Sequence, residues 1–205
     1  MARPLDTDKR RDLARRAVRV LQHEGLEIPM SRLADALEVK RPTLLYHFPT
    51  RSHIIEQALE DMLVDQAQAV LATVAEHSHP IDRLYAQIRA IHEFHDGNEA
   101  RALFLGQAIA ACSQDRMLAI IDIGNRVFAA HREANAERVR EGIAQGLVRP
   151  CDVDALMATI RAVTDGLVVQ RVMTGLDLEP VHTFFWEHVL APLKLSKPAT
   201  GETTS

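Results

Sequence analysis

The chain has 205 residues, of which 47% are hydrophobic and 25% are charged, and its formal net charge is −4. This length and composition suit one or two globular domains and exclude a collagen-like or low-complexity protein. No apolar run approaches the roughly 20 residues of a membrane span, and the first residues do not resemble a secretory signal. Cys112 and Cys151 lack the spacing of a disulfide framework or a zinc knuckle. We therefore expect a cytoplasmic protein.

The charges are divided unevenly along the chain. Residues 1–51 contain 11 lysines and arginines against 7 acidic residues, whereas residues 52–205 contain 13 against 21. A basic end on an acidic body is expected when only one end of a protein meets a polyanion. This distribution favours nucleic-acid binding by the N-terminal part.

Apolar residues recur at helical spacing along almost the whole chain, and no segment alternates as a strand does. The pattern predicts an all-α fold in which three short helices precede longer ones. The second and third short helices are expected over 30–37 and 41–47, since Pro42 suits the first turn of a helix. The later helices are predicted over 81–96, 99–112, 115–144, 152–174 and 181–195. Residues 196–205 have nothing to bury and are predicted to be a disordered tail.

The most informative segment is 30–48, which reads MSRLADALEVKRPTLLYHF. Two short helices are joined there by a tight turn over 37–40. Ala34 is small where the helices approach, and Val39 and Leu44 are the apolar residues expected to hold the crossing. This is the pattern of a helix-turn-helix, whose second helix enters the major groove of DNA. Its solvent side is predicted to present Lys40, Arg41, Thr43, Tyr46 and His47.

These residues closely resemble the signature of the TetR family of bacterial transcriptional repressors. The matching positions are Leu33-Ala34, Val39 and the run PTLLYHFPTR over 42–51. Glu38 stands where the family usually has a turn glycine, and Lys40 stands where a serine usually caps the recognition helix. Two further departures are Pro29 in place of a capping threonine and Leu45 in place of a tyrosine.

The resemblance implies a three-helix helix-turn-helix domain over residues 1–50. A fourth helix would join it to a larger helical effector-binding and dimerisation domain over 51–195. The implied protein is a homodimer that binds double-stranded operator DNA without a cofactor. By the same resemblance, Arg41, Pro42 and Thr43 would contact base edges. Lys40, Tyr46, His47 and Arg51 would contact phosphates, and Ser31 and Arg32 are further expected DNA contacts.

The family architecture also implies a small-molecule cavity between the middle helices. Its candidate lining residues are mostly apolar with a few polar groups, so we expect a small, largely apolar effector that releases the repressor from its operator. The candidates are Tyr85, Ile88, His92, Phe104, Phe128, His131 and Thr164. A seam between two subunits is expected from the apolar positions of the last two helices. Those positions are Leu156, Ile160, Val163, Leu167, Val168, Phe184, Phe185, Val189 and Leu193.

The alternative from a different class is a helical-bundle enzyme or metal-binding protein with a basic end. His92 and His95 have the spacing of a metal-binding pair, but no further cluster supplies the remaining ligands. Glu76-x-x-His79 occurs once, whereas a di-iron bundle needs two such motifs. No serine lies in a nucleophile elbow. The sequence therefore predicts neither a catalytic nor a metal site, and a regulator rather than an enzyme.

Overall fold

The computed structural model describes residues 7–110 and 114–195, which contain nine α-helices. The helices are α1 (Thr7–Glu24), α2 (Met30–Ala36), α3 (Arg41–His47), α4 (Arg51–Ala75), α5 (Pro80–His95), α6 (Glu99–Ala110), α7 (Gln114–Ala144), α8 (Val153–Thr174) and α9 (Leu178–Phe185). A π-helical turn, Trp186–Leu190, and a short 3₁₀ turn, Ala191–Leu193, follow. The all-α prediction is confirmed, and the described part contains no strand beyond one isolated bridge between Val148 and Lys194.

The chain divides into two compact units. The first comprises Met1–Gln66 and Ala100–Val127. One face of α1 is fully buried in it, because its apolar residues recur every three or four positions. These residues and the apolar positions of α2, α3 and α4 form the core that orients α3. That core includes Leu13, Ala17, Val18, Leu21, Leu33, Leu37, Leu44, Phe48 and Ile54.

The second unit comprises Ala67–Glu99 and Phe128–Ser205. Its core is formed mainly by α5, α7, α8 and the C-terminal turns. The buried residues are Ile81, Leu84, Ile88, Ala136, Val139, Val148, Val153, Leu156, Ile160, Phe185 and Leu190. Helix α8 begins at a capped end, where the Asp152 carboxylate accepts a hydrogen bond from the Ala155 amide at 3.0 Å. It ends at Gly175, whose φ of +68° favours glycine.

The last helix differs from its predicted bounds. It begins at Leu178 rather than at residue 181, because the Asp177 carboxylate caps it by accepting a hydrogen bond from the Glu179 amide at 3.1 Å. Pro180 lies in the first turn, where its missing amide proton costs no hydrogen bond. The α-helix ends at Phe185, and the chain continues in the π-helical turn. The predicted tail over 196–205 and Cys112 lie outside the described residues.

The predicted subunit seam is also corrected in part. Leu156, Ile160 and Phe185 belong to the core of their own unit, with no more than 9% of each side chain exposed. Of the predicted set, Phe184 is exposed, and so are Val169, Val172 and Met173 of α8, which were not in that set. The sequence pattern marks both sets as apolar and does not distinguish the face that packs internally.

Within the described residues, no helix is long and apolar enough to cross a membrane.

Candidate nucleic-acid interface and ligand cavity

Helices α2 and α3 form a helix-turn-helix. The turn is held by backbone hydrogen bonds from the Glu38 amide to the Asp35 carbonyl and from the Val39 amide to the Ala34 carbonyl, both 3.0 Å long. Glu38 has a φ of +57°, as expected for a residue in the place of a turn glycine. Ala34 and Leu44 are fully buried at the crossing. The turn therefore keeps the helix-turn-helix geometry with a non-glycine residue in the left-handed region.

Two arginines tie this motif to its surroundings. One guanidinium nitrogen of Arg16, on α1, donates to the Leu37 carbonyl at 2.6 Å and so satisfies the C-terminal end of α2. Arg51, at the start of α4, donates to the carbonyls of Leu26 and Ile28 in the segment that precedes α2. These bonds hold the two ends of α2 against α1 and α4. Because the tight turn joins α3 directly to α2, they also orient α3.

The outer face of α3 is basic and exposed. Lys40, Arg41 and Pro42 are exposed, Thr43 is half-buried, and Tyr46 is 53% exposed. Neither Lys40 nor Arg41 forms an ion pair with any residue that the structure describes. Lys40 is the residue that precedes the first turn of α3, and its side chain is exposed. This face offers two cations, a hydroxyl and an aromatic ring, which together suit phosphates and base edges.

The remaining predicted DNA contacts occupy different environments. Ser31 and Arg32 are exposed at the start of α2, and Arg32 pairs with Glu24 at 2.9 Å. Arg51 is half-buried and its guanidinium is engaged with the backbone. His47 is only 5% exposed and lies on the inner face of α3 with Leu44. Because its side chain is buried, we leave His47 out of the interface.

The predicted effector residues do not line one described cavity. Phe104 belongs to the first unit, whereas the other candidates belong to the second. Ile88 is part of the core, and the Tyr85 ring packs on Trp186 with centroids 4.8 Å apart. His131 forms a polar cluster with Gln87 and Asn135, and Phe128 is half-buried on α7. The predicted apolar pocket therefore stays a prediction.

A cavity of about 540 Å³ lies within the second unit, where the C-terminal half of α5 meets the α8–α9 junction. Of the predicted effector residues, only His92 lines it. Its lining residues are mostly charged or polar: Arg89, His92, Glu93, Asp96, Arg171, Gly175, Leu176, Asp177, Leu178, Glu179 and His182.

Two buried histidines of this lining form a hydrogen-bonded chain with α8. Nδ1 of His92 lies 2.7 Å from Nε2 of His182, and Nε2 of His92 lies 2.9 Å from the carbonyl oxygen of Thr164. Burial lowers the pKa of both rings, and the neighbouring His92 and Arg89 help to lower that of His182 to about 4. Both rings are therefore neutral at pH 7.

The hydrogen-bond partners fix the tautomers of the two rings. A carbonyl oxygen only accepts, so Nε2 of His92 carries its proton and Nδ1 is an acceptor. Nε2 of His182 must then donate to that acceptor, which leaves Nδ1 of His182 without a proton. Among the residues that the structure describes, this Nδ1 has no hydrogen-bond partner although it is buried.

Both arginines that line the cavity are paired. Arg89 donates two hydrogen bonds to the Glu179 carboxylate at 2.8 and 2.9 Å. Arg171 pairs with Asp96 and, at 3.0 Å, with Glu99. Glu93 and Asp177, in contrast, form no ion pair within the described part. The lining therefore carries two net negative charges, since four carboxylates face two arginines.

Sequence reasoning missed most of this cavity. His92 and His182 are 90 positions apart, and residues 175–180 were predicted to separate two helices. No local spacing connects these segments. A detectable signal was the acidic turn that begins α9, where Asp177 and Glu179 flank Leu178. Within the described residues, no group of three or more His, Cys, Asp or Glu side chains could hold a metal ion.

Comparisons with known proteins show which fold the chain has. Neither the family models nor the curated proteins match this sequence. Among solved structures, the TetR-family regulator PfmR of Thermus thermophilus matches with a TM-score of 0.64 and 20% identity, covering 87% of this chain and 97% of its own. The ketosteroid transcriptional regulator KstR2 of Mycobacterium tuberculosis matches with a TM-score of 0.65 and 22% identity, covering 92% and 96%.

A third match is the transcriptional regulator FadR of Bacillus subtilis, solved in complex with stearoyl-CoA. Its TM-score is 0.71 at 16% identity, and the match covers 88% of this chain and 97% of FadR. At these identities the similarity concerns the fold. The chain has the fold of TetR-family transcriptional regulators, as the sequence resemblance predicted.

Proposed function

We propose that this protein is a homodimeric, ligand-responsive transcriptional regulator that binds operator DNA through α3 and acts as a repressor. The observation that carries the proposal is the exposed face of α3, where Lys40 and Arg41 stand without ion-pair partners in the described structure, beside Thr43 and Tyr46. The rest of the chain is acidic overall, so this face is where a polyanion would bind. The shared fold supports the same interpretation.

In this proposal, the α3 residues that lie deepest in the major groove contact bases, and the residues around them contact phosphates. Arg41 and Thr43, in the first turn of α3, read base edges, because the N-terminal residues of a recognition helix lie deepest in the major groove. Lys40, Tyr46 and Ser31 hold phosphates around them. Arg51 acts indirectly, since its guanidinium fixes the carbonyls before α2 and thereby the approach of α3. Arg32 is available to DNA once it leaves Glu24.

The homodimer is proposed on a stripe of exposed apolar side chains. Val169, Val172 and Met173 lie on one face of α8, and Phe184 of α9 is 60% exposed. Two copies of a helix-turn-helix can read half-sites about 34 Å apart when a two-fold axis relates them. If this stripe is buried between the two subunits, the two-fold axis of the dimer lies beside α8 and α9.

Regulation is proposed to follow from a small effector. A ligand that prefers the conformer with a different separation of the two α3 helices lowers DNA affinity by its differential binding free energy. The predicted apolar effector would use the aromatic residues Tyr85 and Phe128, which both belong to the second unit. These side chains are half-buried, which leaves part of each available to a ligand.

The direct experiment is fluorescence anisotropy with the duplex that precedes the protein's own coding sequence. An unrelated duplex of equal length is the control. We expect submicromolar binding of the first duplex and at least about hundredfold weaker binding of the second at near-physiological salt. Equal affinity for the two duplexes, or no binding of either, would overturn the proposal.

A further inference from the structure

The side chains of α3 are suited to only some of the base edges in a major groove. The helix reads RPTLLYH. It has no amide side chain, which would pair with adenine, and no carboxylate, which would accept a hydrogen bond from cytosine. The exposed carboxylates of the motif, on Asp35 and Glu38, precede α3. The helix is therefore left with guanine and thymine as the bases that its own side chains can select.

We infer that each half-site of the operator contains a guanine whose O6 and N7 accept hydrogen bonds from Arg41, and a thymine whose methyl group packs on the ring of Pro42. This inference rests on the proposed function and adds the identity of the bases that α3 selects. Thr43 does not set a base by itself, because a hydroxyl both donates and accepts and so suits any base edge.

Arg41 has the geometry and the freedom to pair with guanine. It is the first residue of α3, its side chain is exposed, and it forms no ion pair with any residue that the structure describes. Its N–H donors lie in one plane and match the two acceptors that guanine presents side by side in the major groove. Lys40 lies before the helix and lacks this planar group of donors, so Arg41 is the better match.

Pro42 offers apolar surface alone. It is exposed, and the helical step places it on the opposite side of α3 from the buried Leu44 and His47. Because proline has no backbone N–H, this position cannot donate a hydrogen bond to a phosphate or to a base. Among the four bases, only thymine carries a methyl group on its major-groove edge. A thymine beside Pro42 therefore gains an apolar contact that the other bases cannot make.

The guanine contact is tested on the duplex that precedes the protein's own coding sequence, bound by the full-length protein in anisotropy titrations. In one series of duplexes, 7-deazaguanine replaces the guanines one at a time. This base lacks the N7 acceptor and keeps its pairing with cytosine. We expect one position in each half-site at which the replacement weakens binding by about tenfold, because an arginine N–H loses its acceptor there.

The thymine contact is tested in a second series, in which uracil replaces the thymines one at a time. The replacement removes the methyl group and leaves every hydrogen-bonding group of the base in place. We expect binding to weaken by about fourfold at one position in each half-site, which corresponds to the loss of one buried methyl group. Both series leave the protein unchanged, so they decide even if a variant of α3 does not fold.

Two variants assign each base to its side chain. Arg41→Gln should lose the effect of 7-deazaguanine and should prefer adenine at that position, since glutamine pairs with adenine. Pro42→Ser should lose the effect of uracil. The matched controls are Arg19→Gln and Pro49→Ser, which make the same changes at exposed positions outside α3 and should keep both effects.

The possible failures are distinguishable. If the protein binds the duplex specifically but no 7-deazaguanine or no uracil replacement weakens binding, this inference is overturned and the proposed function stands. Retention of the guanine preference by Arg41→Gln has the same consequence. If the protein does not bind the duplex at all, the proposed function is overturned and this inference with it.

Discussion

Nδ1 of His92 lies 2.7 Å from Nε2 of His182, and the two rings stack with an interplanar angle of 11°. The pair links α5 to α9, and the second nitrogen of His92 links α5 to α8 through the Thr164 carbonyl. Protonating both rings would set two N–H groups against each other in a buried place that also contains Arg89. The contact therefore requires at least one of the two rings to be neutral.

The first prediction concerns the pH dependence of stability. Burial, with His92 and Arg89, lowers the folded pKa of His182 to about 4 from an ordinary value of 6.5. Between these values the unfolded chain binds more protons, so the free energy of unfolding should fall as pH falls from 6.5 towards 4. Urea denaturation at a series of pH values from 7.5 to 4.5 measures this fall in the free energy of unfolding.

His182→Gln is the matched test, because glutamine does not titrate and keeps a donor for His92. The variant should show a shallower loss of stability on acidification. His23→Gln, at an exposed position of α1, is the control and should retain the slope of the original protein. Identical slopes in all three proteins would show that the histidine pair does not govern acid stability.

The second prediction concerns the turn of the helix-turn-helix. Glu38 adopts a φ of +57°, which costs a non-glycine residue roughly 1 kcal/mol. Glu38→Gly should therefore raise the free energy of unfolding by some tenths of a kcal/mol to about 1 kcal/mol. Glu38→Ala is the control, because it removes the carboxylate and keeps the Cβ atom. Equal stability of the alanine and glycine variants in urea would contradict the strain.

The third prediction concerns the close approach of α7 and the segment after it. A Cβ atom at Gly142 would lie 2.8 Å from Cγ2 of Val148 and 3.0 Å from Cγ of Pro80. Val148 is fully buried, so Gly142→Ala should lower the free energy of unfolding by about 1–3 kcal/mol.

Gly106→Ala is its counterpart, because nothing lies within 4 Å of a Cβ atom there and the residue is within α6. This substitution should stabilise the protein by up to about 1 kcal/mol through helix propensity. Thermal and urea unfolding measure the stability of both variants relative to the original protein. A stabilised Gly142→Ala variant would mean that Val148 moves aside without cost.

The fourth prediction separates base contacts from phosphate contacts. Arg41→Ala and Thr43→Ala should each weaken binding to the preferred duplex by about 1–3 kcal/mol, with a smaller loss on unrelated DNA. Lys40→Ala should weaken both by similar amounts and reduce the salt dependence. Anisotropy titrations at several salt concentrations compare the three. Equal losses on the two duplexes for Arg41→Ala would reassign that side chain to phosphates.

The fifth prediction concerns the dimer. Met173 is 74% exposed on α8, and Met173→Glu should convert a dimer into a monomer at micromolar concentration because a carboxylate would be buried in the seam. Leu71→Glu, which alters a 52% exposed residue of α4, should leave the mass unchanged. Light scattering after size exclusion measures both. A monomeric original protein would remove the proposed seam.

The sequence predicted those parts of the structure that local patterns encode. Helical spacing predicted the helices, and the segment 30–48 located the helix-turn-helix, in which Glu38 stands in the place of a turn glycine. It did not distinguish the inner from the outer face of short helices, so His47 was predicted to face DNA although it is buried. Nor was α9 predicted to begin before Pro180, although the Asp177 cap is a local contact and a proline is compatible with the first turn of a helix.

The cavity was less predictable for a physical reason. Its walls come from α5, the end of α8 and the start of α9, and their approach depends on packing between positions about 90 residues apart. Arg89 and Glu179 look like solvated surface charges in the sequence, yet Nη1 of Arg89 donates to both carboxylate oxygens of Glu179. Thr164 was predicted to contact an effector through its side chain, whereas its hydroxyl donates to the Ile160 carbonyl and its own carbonyl accepts from His92.

The most direct test of the central claim is selection of bound duplexes from a random-sequence pool by the full-length protein, followed by sequencing. A dimer that reads DNA through two α3 helices should enrich an inverted repeat whose half-sites are centred about 10 base pairs, or a multiple of that spacing, apart. Arg41→Ala should lose the enrichment at defined positions within each half-site. A pool that remains random after repeated rounds, with the original protein folded and dimeric, would contradict the account.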